Sequence, residues 1–205
     1  MNTRGIKQQA RYYLYGLGEF GFTFFLVFIG YQLLYFLTDV LAWPPMLAAT
    51  VYAVIQWFES TTSVLMGFFV DRMCLKWGKF RPWMIIGSIG CAIFTLLFFI
   101  KYNCDLRFQI GLFCLFYLLA YTSYNLMWVS YRSMVGAASM TAEDNVSYTA
   151  CSAQLGGCAS LIYGACGTSL LFAFRNIERG YAFCAAICGV LMIGGMLISA
   201  RATKE

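Results

Sequence analysis

Residues 71–83 read DRMCLKWGKFRPW and form a short cationic segment between two long apolar runs. The 205-residue chain around this segment is 61% hydrophobic and only 11% charged. A helix needs about 20 consecutive apolar residues to cross the hydrocarbon core of a bilayer, and a soluble core helix has no such requirement. The segment therefore predicts a multi-pass membrane protein in which residues 71–83 are a loop between two spans.

Outward from this loop, charged and turn residues divide the chain into six apolar runs. The predicted spans are 15–37, 47–70, 83–100, 108–129, 148–174 and 181–200. Each approaches the length of about 20 residues that a helical crossing requires. Because no linker or low-complexity tract interrupts them, residues 1–205 are predicted to form a single all-α transmembrane domain.

The distribution of lysine and arginine predicts the orientation of these spans. Cations cluster in residues 4–11, in the loop 71–83 and in residues 201–204, and by parity the three segments share one side of the membrane. The positive-inside rule makes that side cytoplasmic, so we expect both termini inside a multi-pass protein of the cell membrane. The net charge of +5 lies in loops rather than on one exposed face, so the predicted partner is the lipid bilayer and not nucleic acid.

Four segments together resemble a known family of transporters: YGLG at 15–18, YFLTDV at 35–40, MG at 66–67 and WGKFRPW at 77–83. They are similar to the N-terminal half of the glycoside–pentoside–hexuronide:cation symporters, the melibiose-carrier branch of the major facilitator superfamily. Members of that family have twelve spans in two six-helix halves. The resemblance extends to about residue 200 and implies a six-helix bundle equivalent to one half of such a transporter.

The resemblance also implies that the cationic loop takes part in gating. Charge pairs that break and re-form as two halves rock would control alternating access. A basic loop that only sets topology is the alternative, although the positive-inside rule accounts for the charges and not for the glycine or the proline. The candidate gating residues are Asp71, Arg72, Gly78, Lys79, Arg81 and Pro82.

A single carboxylate, Glu59, lies half-way along the second predicted span. Burying it at that depth costs at least about 3 kcal/mol, so an intramembrane acid indicates a functional site by default. Thr62 and Ser63 follow at i+3 and i+4 and share its helix face. The resemblance adds that Glu59 falls where the family has its cation-binding aspartate, and that Thr62 and Asn125 match polar ligand positions. We predict a cation or proton site at Glu59, Thr62, Ser63 and Asn125, the alternative being a carboxylate that only bonds a neighbouring helix.

The candidate solute-binding residues are Glu19, Thr23, Tyr124, Trp128 and Arg132. Thr23 and Trp128 stand where the family has sugar-binding acids, and Arg132 replaces a tryptophan, so the resemblance to a glycoside site is incomplete. Glu19, one turn before Thr23, is a candidate replacement for the first acid. With one acid left of the family's cation pair, the coupling ion is Na⁺ or H⁺, and no other cofactor is predicted.

The leading interpretation is a half-size subunit of a secondary active transporter for a small solute, a sugar or glycoside by resemblance. It would pair with itself or with a separately encoded C-terminal half, because a lone polar wall would face lipid. A carrier of amphipathic lipid-like molecules and a non-transporting regulatory or assembly subunit are the alternatives. An enzyme or a metal site is not predicted, since the chain has no histidine and its nine cysteines lack metal-ligand spacing.

Two further patterns predict how the helices pack. Trp43, Trp83 and Tyr181 lie near span ends, where aromatic side chains commonly anchor a protein at the membrane interface. Glycines allow close approach of helix backbones and are frequent in the last two spans. They are Gly156, Gly157, Gly164, Gly167, Gly189, Gly194 and Gly195.

Overall fold

The computed structural model of the chain describes residues 3–73, 78–102, 104–172, 174 and 176–203, with the side chains of 3–7, 71 and 172 not included. Six α-helices account for most of these residues, which confirms the predicted all-α fold. They are α1 (Thr3–Tyr35), α2 (Pro45–Arg72), α3 (Arg81–Phe98), α4 (Leu106–Ala138), α5 (Ala142–Phe172) and α6 (Ile177–Ala202). A π-helical turn, Phe36–Val40, extends α1.

Five helices of the described residues are long and apolar enough to cross a membrane: α1 with its π-helical turn, α2, α3, α4 and α6. Helix α5 spans 31 residues, which is longer than a crossing requires, but it is not among the five. Residues 155–172 of this helix carry no charged side chain. Several helices also begin before or end after the predicted spans, because a helix satisfies its backbone hydrogen bonds with or without apolar side chains.

Helix α1 is central to the bundle and packs mainly against α5 and α6, whereas α3 packs against α4 and α6. Helix α2 contacts mainly α4 and is the least buried of the five apolar spans. Aromatic rings fill the core, and Tyr15 of α1 stacks on Tyr131 of α4 with ring centroids 4.5 Å apart. The predicted interfacial anchors Trp43 and Tyr181 are instead buried in this core, because side chains near the ends of the helices pack into the bundle as well.

The crossing of α1 and α6 depends on two glycines. A Cβ atom at Gly21 would lie 2.4 Å from the carbonyl oxygen of Leu191, and one at Gly195 would lie 2.4 Å from that of Leu17. Such distances are far inside van der Waals contact, so no other residue fits without moving a helix. The prediction of close packing is confirmed at Gly195 and at Gly156, but it is wrong at three glycines that face open space: Gly157, Gly164 and Gly194.

Candidate ion and solute site

Glu59 lies at the middle of α2, on the face that packs against α4. The hydroxyl of Tyr117 donates a hydrogen bond to its Oε1 at 2.6 Å. The backbone carbonyl of Glu59 accepts hydrogen bonds from Thr62 Oγ1 at 3.0 Å and from Asn125 Nδ2 at 3.3 Å. Asn125 Nδ2 also donates to Thr62 Oγ1 at 3.0 Å. The structure thus brings together three of the four residues predicted for the ion site.

A cavity of about 400 Å³ opens beside Glu59 between α1, α2 and α4. The fourth predicted residue, Ser63, lines this cavity, whereas Thr62 is turned toward α4. Apolar groups of α1 form one side, and oxygen-bearing groups form the other. The lining residues are Leu26, Ile29, Gly30, Tyr52, Gln56, Glu59, Ser60, Ser63, Tyr121, Tyr124 and Asn125.

The chemistry of this cavity suits a proton or a hard monovalent cation. Carboxylate and hydroxyl oxygens are ligands for hard cations, and Glu59 supplies one formal negative charge. The same carboxylate can bind a proton directly. Among the described residues, no group of three or more His, Cys, Asp or Glu side chains is placed to hold a metal ion.

Sequence reasoning missed Tyr117, the residue that contacts the Glu59 carboxylate directly. The signal was present, because Tyr117, Tyr121 and Tyr124 recur at i, i+4 and i+7 and so share one face of α4. That face also carries Asn125. A tyrosine row beside an intramembrane acid therefore indicates where the hydrogen-bond donors of that acid lie.

The predicted solute-binding residues form a second cluster between α1 and α4. Arg132 Nη2 lies 3.0 Å from Glu19 Oε1. The guanidinium carbon of Arg132 also lies 4.1 Å from the centroid of the Trp128 ring, and Phe22 stacks on the same ring with centroids 4.1 Å apart. Because a guanidinium and a phenyl ring already pack on Trp128, its ring is less available as a flat surface for a sugar. Thr23 lies against α5, where it is close to Gly156.

The two clusters belong to one continuous wall. Tyr124 lines the cavity beside Glu59 and stacks on Phe22 with ring centroids 5.1 Å apart, and Phe22 in turn contacts Trp128. On α4, Asn125, Trp128 and Arg132 recur at i, i+3 and i+7, which places them on one helix face. Phe22, which no sequence pattern singled out, is the link between the ion and solute residues.

The predicted gating residues are positioned differently from the expectation. Arg81 donates a hydrogen bond to the backbone carbonyl of Thr203, just after α6. Arg11 Nε makes the equivalent bond to the carbonyl of Ala202 at 2.9 Å. These arginines cap the C-terminus of α6, where free carbonyls and the helix dipole favour cations. Arg81 is thus engaged within the bundle.

Two other predicted gating residues, Gly78 and Pro82, shape the backbone of the described part of this loop. Gly78 has a φ of 117°, which a residue with a side chain rarely adopts, and Pro82 lies in the first turn of α3, where its missing N–H is tolerated. Lys79 Nζ lies 5.2 Å from the centroid of the Phe80 ring. Arg72 is exposed at the end of α2. The side chain of Asp71 lies outside the described residues, so its gating role stays a prediction.

A third cluster joins the N-terminal parts of α1 and α5. The Tyr12 hydroxyl donates to Asp144 Oδ1, and Gln8 Nε2 donates to the same oxygen at 2.9 Å. The hydrogen bond from Tyr12 holds the pKa of the Asp144 carboxyl below its ordinary value, and Gln8 adds to this effect. These contacts hold α1 and α5 together on the side that the charge pattern predicts to be cytoplasmic.

A bundle of helices that are long and apolar enough to cross a membrane defines a multi-pass membrane protein. Residues 14–205 match the model of the MFS/sugar transport protein family, and the chain belongs to that family. It is 29% identical over 194 residues to the uncharacterized symporter YjmB of Bacillus subtilis strain 168, covering 93% of this chain and 42% of the relative.

Two relatives from Escherichia coli strain K12 have names that specify a solute. One, provisionally named a sulfoquinovose importer, is 28% identical over 196 residues, covering 93% of this chain and 41% of the relative. The other, a glucuronide carrier protein homolog, is 32% identical over 85 residues, covering 42% of this chain and 19% of the relative. The chain therefore spans about two fifths of the length of the full-length relatives it matches across most of its sequence.

Proposed function

We propose that this chain forms one six-helix half of a secondary active transporter that couples movement of a small sugar-like solute to a cation or a proton. The observation that carries the proposal is the Glu59 carboxylate, held by Tyr117 at the edge of a polar cavity half-way along a membrane helix. A charged carboxylate at this depth in the membrane has a high free energy, and binding of a coupling cation or proton would offset its charge.

The solute class rests on the relatives and on the wall of the cavity. Relatives of this chain are named for sulfoquinovose and glucuronide, both of which are sugar derivatives. The wall beside Glu59 combines tyrosine hydroxyls and amides with aromatic rings, which are groups that recognise sugar hydroxyls and sugar faces. A sugar-like solute therefore fits better than an amphipathic lipid.

A second half would complete the cavity. Ser60 of α2 is exposed next to Glu59 and lines the cavity. Polar side chains and a carboxylate in contact with lipid tails are unfavourable, so this face requires a protein cover. The cover would be a second copy of the chain or a C-terminal half of the same fold, in the cell membrane.

Ion coupling is tested with the variant Glu59→Gln, which keeps the shape of the side chain and removes its titratable charge. Uptake of radiolabelled glucose and glucuronate is measured in membrane vesicles from cells that carry the variant in place of the wild-type chain. We expect accumulation driven by a proton or sodium gradient to be abolished. Exchange of solute between equally loaded compartments should remain in part, since it needs no net ion movement.

The matched control is Glu143→Gln, which removes an exposed carboxylate at the start of α5. This control should accumulate solute as the wild type does. Normal accumulation by Glu59→Gln under both gradients would show that Glu59 is a structural acid and would contradict the proposed coupling site.

A further inference from the structure

Glu19 and Arg132 form an incomplete ion pair. They share a single contact, from Arg132 Nη2 to Glu19 Oε1 at 3.0 Å. The other carboxylate oxygen, Oε2, is buried and has no hydrogen-bond partner among the described residues. A fully satisfied arginine–carboxylate pair is normally bidentate, so this pair leaves hydrogen-bonding capacity unused on both sides.

The two partners differ in accessibility. The Glu19 side chain is only 9% exposed, whereas that of Arg132 is 43% exposed. Glu19 is held by α5, where a Cβ on Gly156 would already lie 3.1 Å from Glu19 Cγ. Arg132 is long, rests on the Trp128 ring and carries five N–H donors, of which one hydrogen bond to Glu19 uses only one. A ligand can therefore reach the guanidinium but not the carboxylate.

The guanidinium is the charged group that contacts Glu19 in the described part of the chain. The titratable neighbours on α1 and α4 are phenols, which stay neutral at physiological pH. These phenols are Tyr15, Tyr124 and Tyr131. From α5 the neighbour is Gly156, and from α6 it is Ser199, whose hydroxyl donates a hydrogen bond to the backbone carbonyl of Tyr15.

This environment determines the state of Glu19 after a ligand anion has replaced it as the partner of the Arg132 guanidinium. Glu19 would then be a buried carboxylate without a counter-ion, a state that costs several kcal/mol. Uptake of one proton removes the charge and relieves that cost. The neutral acid also gains an O–H donor of its own.

We propose that Glu19 is a resident counter-ion that a solute anion displaces from Arg132 while Glu19 takes up one proton. The Arg132⁺–Glu19⁻ pair, one anion and one proton become an Arg132⁺–anion pair and a neutral Glu19, so charge and protons balance. This inference rests on the proposed transport function and specifies its substrate class as a small sugar with a carboxylate or sulfonate group. It adds a second proton-coupled group to the one at Glu59.

The test measures equilibrium binding of radiolabelled glucuronate to de-energised membrane vesicles as a function of pH. In the wild type we expect the affinity to fall as pH rises, approaching about tenfold per pH unit once Glu19 is ionised, which is the slope for one linked proton. In Glu19→Gln, residue 19 is permanently neutral while Arg132 keeps its charge. Glucuronate binding by this variant should therefore be independent of pH and, at high pH, as tight as binding by the wild type at low pH.

Arg132→Gln should weaken glucuronate binding at least about tenfold, as expected for loss of a charge-assisted hydrogen bond. Arg132→Lys, which keeps the charge but not the planar fork, should lie between this variant and the wild type. Arg107→Gln removes an exposed cation near the start of the same helix and should leave binding and its pH dependence unchanged.

The sign of the Glu19→Gln effect is decisive. Weaker glucuronate binding in this variant would mean that Glu19 grips the solute directly, and the inference would be wrong. It would also be wrong if Glu19→Gln kept the wild-type pH dependence, because the proton would then bind elsewhere, as at Glu59. Binding of glucose without any binding of glucuronate would overturn this inference alone, whereas failure to bind either sugar would overturn the proposed function with it.

Discussion

Among the described residues, Glu59 is stabilised by a hydrogen-bond donor from the neighbouring helix, and no cation pairs with it. The Tyr117 hydroxyl supplies this donor at 2.6 Å, and Tyr117 itself is fully buried. A phenol has one advantage over arginine or lysine at an ion site: it stabilises a carboxylate without competing as a permanent positive charge. Under the proposed function, the Glu59 carboxylate thus stays available to bind a coupling ion.

The link between these two side chains is measurable with a double-mutant cycle. Tyr117→Phe removes the hydroxyl and keeps the ring, and we expect it to destabilise the protein by about 1.5–3 kcal/mol, the range for a hydrogen bond to a charged group. In a Glu59→Gln background the loss should be smaller by at least about 1 kcal/mol. Thermal unfolding in mild detergent gives both values.

Tyr102 provides the control for this cycle. Its hydroxyl bonds the carbonyl of Leu97 at 3.1 Å, in the connection between α3 and α4 and away from the ion site. The losses from Tyr102→Phe and Glu59→Gln should simply add. If Tyr117→Phe and Glu59→Gln were additive as well, the hydrogen bond between them would contribute nothing to stability.

At the scale of elements, the arrangement of α1 and α6 determines where the solute residues of α1 point. The backbones of the two helices touch at Gly21 and Gly195, so the rotation of α1 has little freedom. Glu19 lies within one turn of the contact at Gly21 and is therefore directed toward α4 and α5. The contacts at Gly21 and Gly195 therefore determine both the close packing of α1 against α6 and the position of Glu19 in the candidate solute cluster.

Adjacent glycines of α6 test this packing directly. Gly195→Ala would place a Cβ 2.4 Å from the Leu17 carbonyl oxygen, and we expect destabilisation of about 1–3 kcal/mol, as for other overpacked sites. Gly194→Ala meets nothing within 4 Å, so it should be neutral or slightly stabilising because alanine has the higher helix propensity. The measurement is thermal unfolding in detergent, and equal effects of the two variants would contradict the close crossing.

The sequence allowed the helical class and the approximate spans to be predicted because lipid imposes a length and an apolar composition on every crossing. Helical periodicity related Glu59 to Thr62 on one face of α2, whereas Asn125 of α4 was paired with them only by the resemblance. The sequence did not reveal that Trp43 is buried, with its Nε1 donating to Gln109 Oε1 at 3.0 Å. Nor did it reveal that Arg81 caps α6. These contacts join residues far apart in the chain, and only tertiary packing determines them.

For the whole molecule, the open side of the bundle is the feature on which the proposed pairing rests. The cavity between α1, α2 and α4 carries Glu59 and is lined by Ser60, an exposed residue of α2. Elsewhere the surface of the bundle is suited to lipid, as at Val190 of α6, which is 70% exposed. Under the proposed function, the face that carries the cavity is the one that a second half would cover.

This contrast predicts that the chain is not a functional monomer. In mild detergent, light scattering should give a protein mass of at least two chains, or of one chain with a C-terminal half. Ser60→Trp places a bulky ring at the rim of the cavity and should shift the protein toward the monomer, because the ring prevents close docking of the second half. Val190→Trp adds the same ring on a lipid-facing surface and should keep the wild-type mass. A monodisperse monomer that accumulates solute in liposomes would disprove the pairing, since its polar wall would then function without a cover.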